Sequence, residues 1–319
     1  MFRLELGIGD LADARFTISP LHEAVNSLWP VYAGWAAAAH GTWAARVRAH
    51  PGIDHVLLGS LVSERKKIPD FIAPPPRPRL ADQLLQVRQT PPGKVVSDIL
   101  AAYGSAPLPD CLRGIDDDPA ALRDRVADAL GRYWELAIAP SWPRVIRLLE
   151  ADVLHRGLAL ATGGPGEAFG GLDRRIRWDG DGIIVDIMSS VREEIPVAGR
   201  GLRFVPCVFA PFPNLPIDAV DPPVLAYPAR ASATLWHTPP RPRGAARAVL
   251  GSARARLLAM LDEPTSTTSL ASNLGVTPSA VSQQLRVLAD AGLVAATRAG
   301  RVVLYQRTDI GTRLTRGTS

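Results

Sequence analysis

The stretch TTSLASNLGVTPSAVSQQLRVLADAGLVAATRAGRVVLYQR, residues 267–307, decides the fold of the C-terminal part of the chain. Leu270, Ala271 and Leu274 share one face at the spacing of a short helix, which Thr267 or Thr268 is placed to cap. Gly275 supplies the left-handed residue that ends it. Thr277 as N-cap and Pro278 as first helical residue then start a second helix, expected to run to about Ala291. In that helix Val281, Leu285 and Leu288 turn inward and leave Ser279, Ser282, Gln283 and Arg286 outside. Gly292 stops it, and residues 293–298 and 302–307 alternate as two strands joined through Ala299-Gly300.

Helix, turn, helix and hairpin in this order read as a winged helix-turn-helix. The outward residue types suit the major groove of double-stranded DNA. Glutamine can pair with adenine, arginine with guanine or phosphate, and serine with either base or backbone. Arg298 and Arg301 sit at the tip of the hairpin, where a wing would meet phosphates, and Thr267 and Thr268 are further candidate phosphate contacts.

Charge points the same way. Residues 247–319 hold nine arginines (247, 254, 256, 286, 298, 301, 307, 313 and 316) against four acids, Asp262, Glu263, Asp290 and Asp309. That excess equals the net +5 of the whole chain, so the first 246 residues are balanced and the positive charge is concentrated where a polyanion would sit.

The longer run ARARLLAMLDEPTSTTSLASNLGVTPSAVSQQLRVLADAGLVAATRAGRVVLYQRT, residues 253–308, resembles the winged-helix domain of ArsR-type bacterial transcriptional regulators, with TPSAVSQQLRVLADAGLV its most specific part. The resemblance covers about a quarter of the chain. It implies a leading helix, here residues 253–261, packed beneath the reading helix, and a working homodimer. Metal-sensing members carry a cysteine pair where this chain has Ala271, Ser272 and Asn273, so metal sensing at that place is not expected. Gln284 stands where many members have histidine.

Composition bounds the rest. At 319 residues, with 47% hydrophobic and 21% charged residues, the chain has the make-up of folded domains and not of a disordered or fibrous protein. The most apolar stretch, residues 28–45, is broken by Pro30, Gly34, His40 and Gly41, which argues for a buried helix pair over a membrane span. No apolar run of signal-peptide length opens the sequence, so a soluble cytoplasmic protein is expected. Cys111 and Cys207 lie far apart in sequence and read as two buried thiols.

Taken in order, residues 2–8 alternate as a strand would, and Ser19-Pro20 opens a helix through Leu28 and beyond. Helical patterns follow at 43–48, 53–61, 80–89 and 94–103, separated by the proline-rich loop IPDFIAPPPRP at 68–78, which is expected to pack through Phe71 and Ile72. Asp118-Pro119 opens a helix to about Ala139, and another runs over 142–161. The glycines at 163, 164, 166, 170 and 171 read as a flexible junction. Beyond them, strands over 175–178 and 183–187 flank the turn Asp179-Gly180-Asp181-Gly182, and 202–209 and 224–227 are further strand candidates. The fold class expected is mainly α with small β-sheets (α+β). The expected division is a helical N-terminal domain (1–165), a small strand-rich section packed on it (166–238), a proline-rich linker (239–246) and the winged helix-turn-helix (247–319). The order of IPDFIAPPP, then YWELAIAPSWPRVIRLLEADVLHRG at 133–157, then a hairpin, resembles an uncharacterised domain found N-terminal to ArsR-type helix-turn-helix domains. That resemblance spans most of residues 1–240 and implies a regulator architecture without a known ligand or activity.

The first 240 residues yield no catalytic assignment. His22-Glu23 begins like a zinc-protease helix, but Asn26 occupies the place of the second histidine. Ser63 and Lys66 have the spacing of a Ser-x-x-Lys pair without its companion motifs. The glycine patch follows a helix instead of a strand and lacks a Gly-Lys-Ser/Thr ending. Asp116, Asp117 and Asp118 precede a helix, where carboxylates favour the dipole, and Glu193 and Glu194 read as solvated. Trp29, Tyr32, Trp35, Trp43, Tyr133, Trp134 and Trp142 suit a helical core better than an effector pocket, and His155 reads as a core or boundary residue. The sequence therefore predicts a homodimeric, sequence-specific DNA-binding transcription regulator, a repressor acting on an imperfect palindrome. It is expected to need no cofactor or metal, to be no enzyme, and to leave open a small-molecule effector. An enzyme fused to a helix-turn-helix, and an interaction module with a winged helix that binds no DNA, are the alternatives.

Overall fold

Strand pairing ties the beginning of the chain to its middle. In the computed structural model, which describes residues 1–35, 37–63, 67–113, 115–186, 193–215, 221–236, 244–299 and 302–316, the first unit (Met1–Leu235) holds seven strands among the described residues. These are β1 (Phe2–Glu5), β2 (Arg15–Phe16), β3 (Ile176–Trp178), β4 (Gly182–Val185), β5 (Glu193–Pro196), β6 (Arg203–Cys207) and β7 (Val224–Pro228). They form two small sheets. One has the order β3-β4-β1-β5 and the other β2-β6-β7. The β3–β4 hairpin pairs antiparallel about the turn read from the sequence, Trp178 opposite Ile183, while Ile187 lies outside the described residues. β1 pairs antiparallel with β4 and parallel with β5, and β6 pairs parallel with both β2 and β7.

Asp10 fastens this arrangement. Its carboxylate accepts from the backbone of Gly7 (2.9 Å), Gly199 (2.8 Å) and Gly201 (3.2 Å), which pins the turn after β1 to the β5–β6 loop. Between the sheets and the helices, Phe16, Phe204 and Phe169 stack in a row with ring centroids 4.9 and 4.6 Å apart, in a core that includes Leu4, Ile183 and Tyr227.

The helices of this unit are α1 (Ile8–Ala12), α2 (Pro20–Leu28), α3 (Ala37–Arg48), α4 (His55–Ser60), α5 (Leu80–Gln89), α6 (Pro92–Tyr103), α7 (Pro119–Tyr133) and α8 (Trp142–Gly170). Ser19, Asp54 and Asp118 cap α2, α4 and α7 by accepting from backbone N–H groups three residues on. Helices α2 and α7 each continue into one π-helical turn, Trp29–Ala33 and Trp134–Ile138. Pro30 has no N–H to give an α-helical ladder, so the first of these turns cannot stay regular. The proline-rich loop packs as expected, with Phe71 and Ile72 buried.

At the glycine patch α8 is broken, because Gly164 (φ 73°, ψ −170°) leaves helical geometry just before Pro165 and separates two helical parts. Buried Ala168 and Phe169 hold the part after the break in the core. The two cysteines also differ, since Cys207 is buried and Cys111 only partly so. Most of the expected linker, residues 239–243, lies outside the described residues, and the next helix starts at Gly244.

The second unit (Trp236–Ser319) contains α9 (Gly244–Ala259), β8 (Thr265–Ser266), α10 (Thr267–Leu274), α11 (Pro278–Asp290), β9 (Val294–Ala299), β10 (Val302–Arg307) and α12 (Asp309–Arg316). Helix α9 is interrupted at Gly251 (φ 76°), and its second part begins at Ser252. β8, β10 and β9 form a three-stranded antiparallel sheet in that order. No described helix of the chain is long and apolar enough to cross a membrane.

Candidate nucleic-acid interface

The turn between α10 and α11 follows from local chemistry. Ser266, still extended at the end of β8, accepts from the Ser269 N–H at 3.2 Å and caps α10. Thr267 and Thr268, expected in that role, are the first residues inside the helix instead. Gly275 ends α10 in the left-handed region (φ 65°), and the Thr277 hydroxyl accepts from the Ala280 N–H at 3.3 Å to cap α11. Gly292 (φ 68°) closes the other side. Both ends of the reading helix are thus fixed by their own sequence.

Its orientation is fixed by burial. Val281, Leu285 and Leu288 are 1%, 0% and 0% exposed and pack with Leu257, Leu258 and Leu270 in the core of the unit. With about 100° of turn per residue, the opposite side of α11 carries Ser279, Gln283 and Arg286, all exposed, with half-buried Ser282 at its margin. Thr268 is exposed and Thr267 half-buried on the neighbouring helix. Arg298, exposed, lies opposite Val303 near the hairpin tip, while Arg301 falls outside the described residues. The structure therefore gathers Ser279, Gln283 and Arg286 on one surface, with Arg298 on the wing strand of the same unit.

Residues that the sequence reading missed hold this surface in place. The Arg254 Nε donates to Gln284 Oε1 at 2.9 Å, tying α9 to the flank of α11. Arg307 pairs with Asp262 and donates to the Thr315 hydroxyl at 3.1 Å, joining β10 to α12 and to the end of the leading helix. Helix α12 itself was not foreseen, although Thr308 accepts from the Gly311 N–H at 3.2 Å as a cap would. Only glycine fits at 311, where a Cβ would stand 2.2 Å from the Leu293 carbonyl oxygen.

The polar residues of the first unit are placed differently. Every residue of α2 is buried, His22 and Glu23 among them. The Glu23 carboxyl accepts from the N–H groups of Val208 (2.6 Å) and Phe209 (3.3 Å), and burial pushes its pKa up to about 8 despite those bonds. The His22 Nδ1 lies 2.7 Å from the Ser19 hydroxyl, and burial pushes its pKa down to about 4. The amide of Asn26 donates to the His22 carbonyl at 2.8 Å and accepts from Asn214 at 2.7 Å.

Of the aromatics, Trp43 stacks on Phe209 (4.6 Å), the Tyr133 hydroxyl bonds Ser27 (2.7 Å), and Trp134 meets Trp142 edge-on (4.9 Å). Ser63 is buried and Lys66 lies outside the described residues. His155 is exposed, not a core residue, and Glu193 and Glu194 are exposed on β5. Among the described residues no group of three or more His, Cys, Asp or Glu side chains is placed to hold a metal ion.

A helix-turn-helix with an exposed polar reading helix and a β-hairpin defines the class of the second unit. A family model described as a helix-turn-helix domain matches residues 252–296, from the start of the second part of α9 into β9. The match supports a DNA-binding transcription regulator. No curated protein and no solved structure matches the chain.

Proposed function

We propose that the chain is a homodimeric, sequence-specific DNA-binding regulator of the ArsR type that represses transcription, with a first unit that senses an effector or supports dimerisation. The observation that carries this reading is the outer face of α11. Ser279, Gln283 and Arg286 are exposed directly opposite a fully buried apolar stripe, within residues 247–319, whose excess of positive charge equals the net +5 of the chain. Side chains so placed have no part in packing and are of the types that address base edges. Ser279, Ser282, Gln283 and Arg286 read bases, while Thr267, Thr268, Arg298 and Arg301 hold phosphates. A twofold-related pair of reading helices enters successive major grooves, so the operator is an imperfect palindrome.

The test is a selection of genomic fragments by the purified full chain, followed by titration of the winning fragment over a range of salt. Arg298→Ala is expected to weaken binding to every sequence alike and to lower the salt slope by about one. A wild-type chain that retards neither selected nor random DNA at low salt overturns the reading.

A further inference from the structure

One residue on the reading face has no folding explanation. Val287 is 44% exposed on α11, on the side away from the core made by Val281, Leu285 and Leu288. A β-branched side chain at a helix position gives up helix propensity, and here the partial burial of Val287, which lies outside the core cluster, repays little of it. Ala280, two turns earlier along the same line of the helix, is exposed as well, and Gln283 lies between them. The outer surface of α11 is thus a polar centre with an apolar contact above and below it.

We propose that Val287, with Ala280, reads thymine C5-methyl groups flanking the base pair addressed by Gln283, which sets an A·T-rich centre for each half-site. The inference rests on the DNA-binding reading above and adds its specificity. The major groove is where thymine shows its methyl group, and apolar side chains are the complement to that group. The positive charge of the unit brings duplex DNA to this face, a partner that an isolated apolar contact would not select. Along the helix axis Ala280 and Val287 lie about 4.5 and 6 Å from Gln283, one to two base-pair steps to either side.

The experiment uses the full chain and the DNA duplex it selects from a random pool. Each thymine of the half-site is replaced in turn by uracil, which removes the methyl and leaves the pairing intact. For wild type, about a fourfold loss of affinity is expected at one or two thymines. Val287→Ala, which improves helix propensity and leaves the core untouched, is expected to abolish the uracil effect at one of them while keeping the contribution of Gln283.

Wild-type binding that tolerates uracil everywhere overturns the inference and leaves the DNA reading standing. So does a Val287→Ala protein with an unchanged uracil profile, including one whose only change is in oligomeric state. Failure of the wild type to bind any duplex overturns both.

Discussion

Helices α2 and α11 start with the same signal, a hydroxyl cap followed by proline, Ser19-Pro20 in one and Thr277-Pro278 in the other, and both carry several polar side chains. Their fates are opposite. In α2 every residue is buried, and the polar groups of Glu23 and Asn26 are committed to internal partners. In α11 the apolar stripe is buried and the polar face is left to solvent. A polar residue on a helix is available for recognition only where the surrounding fold has not already used it. By that criterion Glu23 and Asn26 are structural, and Ser279, Gln283 and Arg286 are not.

The comparison can be broken most forcefully at Glu23. Glu23→Ala strips two buried N–H groups of their acceptor and leaves a cavity, so a loss of roughly 3–5 kcal/mol is expected in urea denaturation of the full chain. Glu23→Gln is expected to keep part of that stability at neutral pH, because its carbonyl oxygen still accepts from Val208 and a carboxyl with a pKa of about 8 is largely uncharged there, whereas its NH2 cannot accept from Phe209. Its pH dependence sharpens the point. The Glu23 contribution is complete below its ordinary pKa of 4.5 and is lost as pH rises towards 8. That of His22 has the opposite sign, complete above 6.5 and lost as pH falls towards 4. Between pH 6.5 and 8 only Glu23 of the two changes. The stability of the first unit should therefore fall over that window in the wild type, and stay level in Glu23→Gln. A wild-type profile that rises there would remove the buried-acid account.

On the other helix, Leu285→Ala should cost about 3 kcal/mol, seen as early melting of the second unit and loss of DNA retention together. Gln283→Ala, fully outside the core, should leave melting unchanged and cost about 1–3 kcal/mol only at the base pair it addresses. If Gln283→Ala instead lowered the melting point, the polar face of α11 would be as structural as α2. The smallest effect is expected from Arg254→Ala, about 1 kcal/mol of unit stability, measured by the same melt, from the lost bond to Gln284.

The second unit was legible because its signals are local. Thr277, Pro278, Gly275 and Gly292 act within a few residues of where they stand, and the expected helix and strands of 277–307 agree with α11, β9 and β10 to within a residue. Even there Ser266 capped α10 in place of Thr267, because only a tertiary partner, β10, decides that Ser266 is still extended. Helix α12 was missed since its place depends on Gly311 closing against Leu293. Val287 was readable on the helical wheel but passed over among the polar types around it. In the first unit the helices could be anticipated from spacing. The β1–β5 and β2–β6 pairings, about 190 residues apart in sequence, left no local trace.

By itself, the sequence determined the capped, amphipathic helices, the hairpins with their turns, and the concentration of positive charge in the last quarter of the chain, because capping, periodicity and charge are short-range or additive properties. Only the tertiary structure decided which polar side chains are spent. Glu23 is buried by β6 and the loop beyond it, drawn from the distant middle of the chain, and Gln283 is exposed because the core of its unit closes on the other side of α11. Burial depends on what packs against a residue, and that is set by contacts far away in sequence.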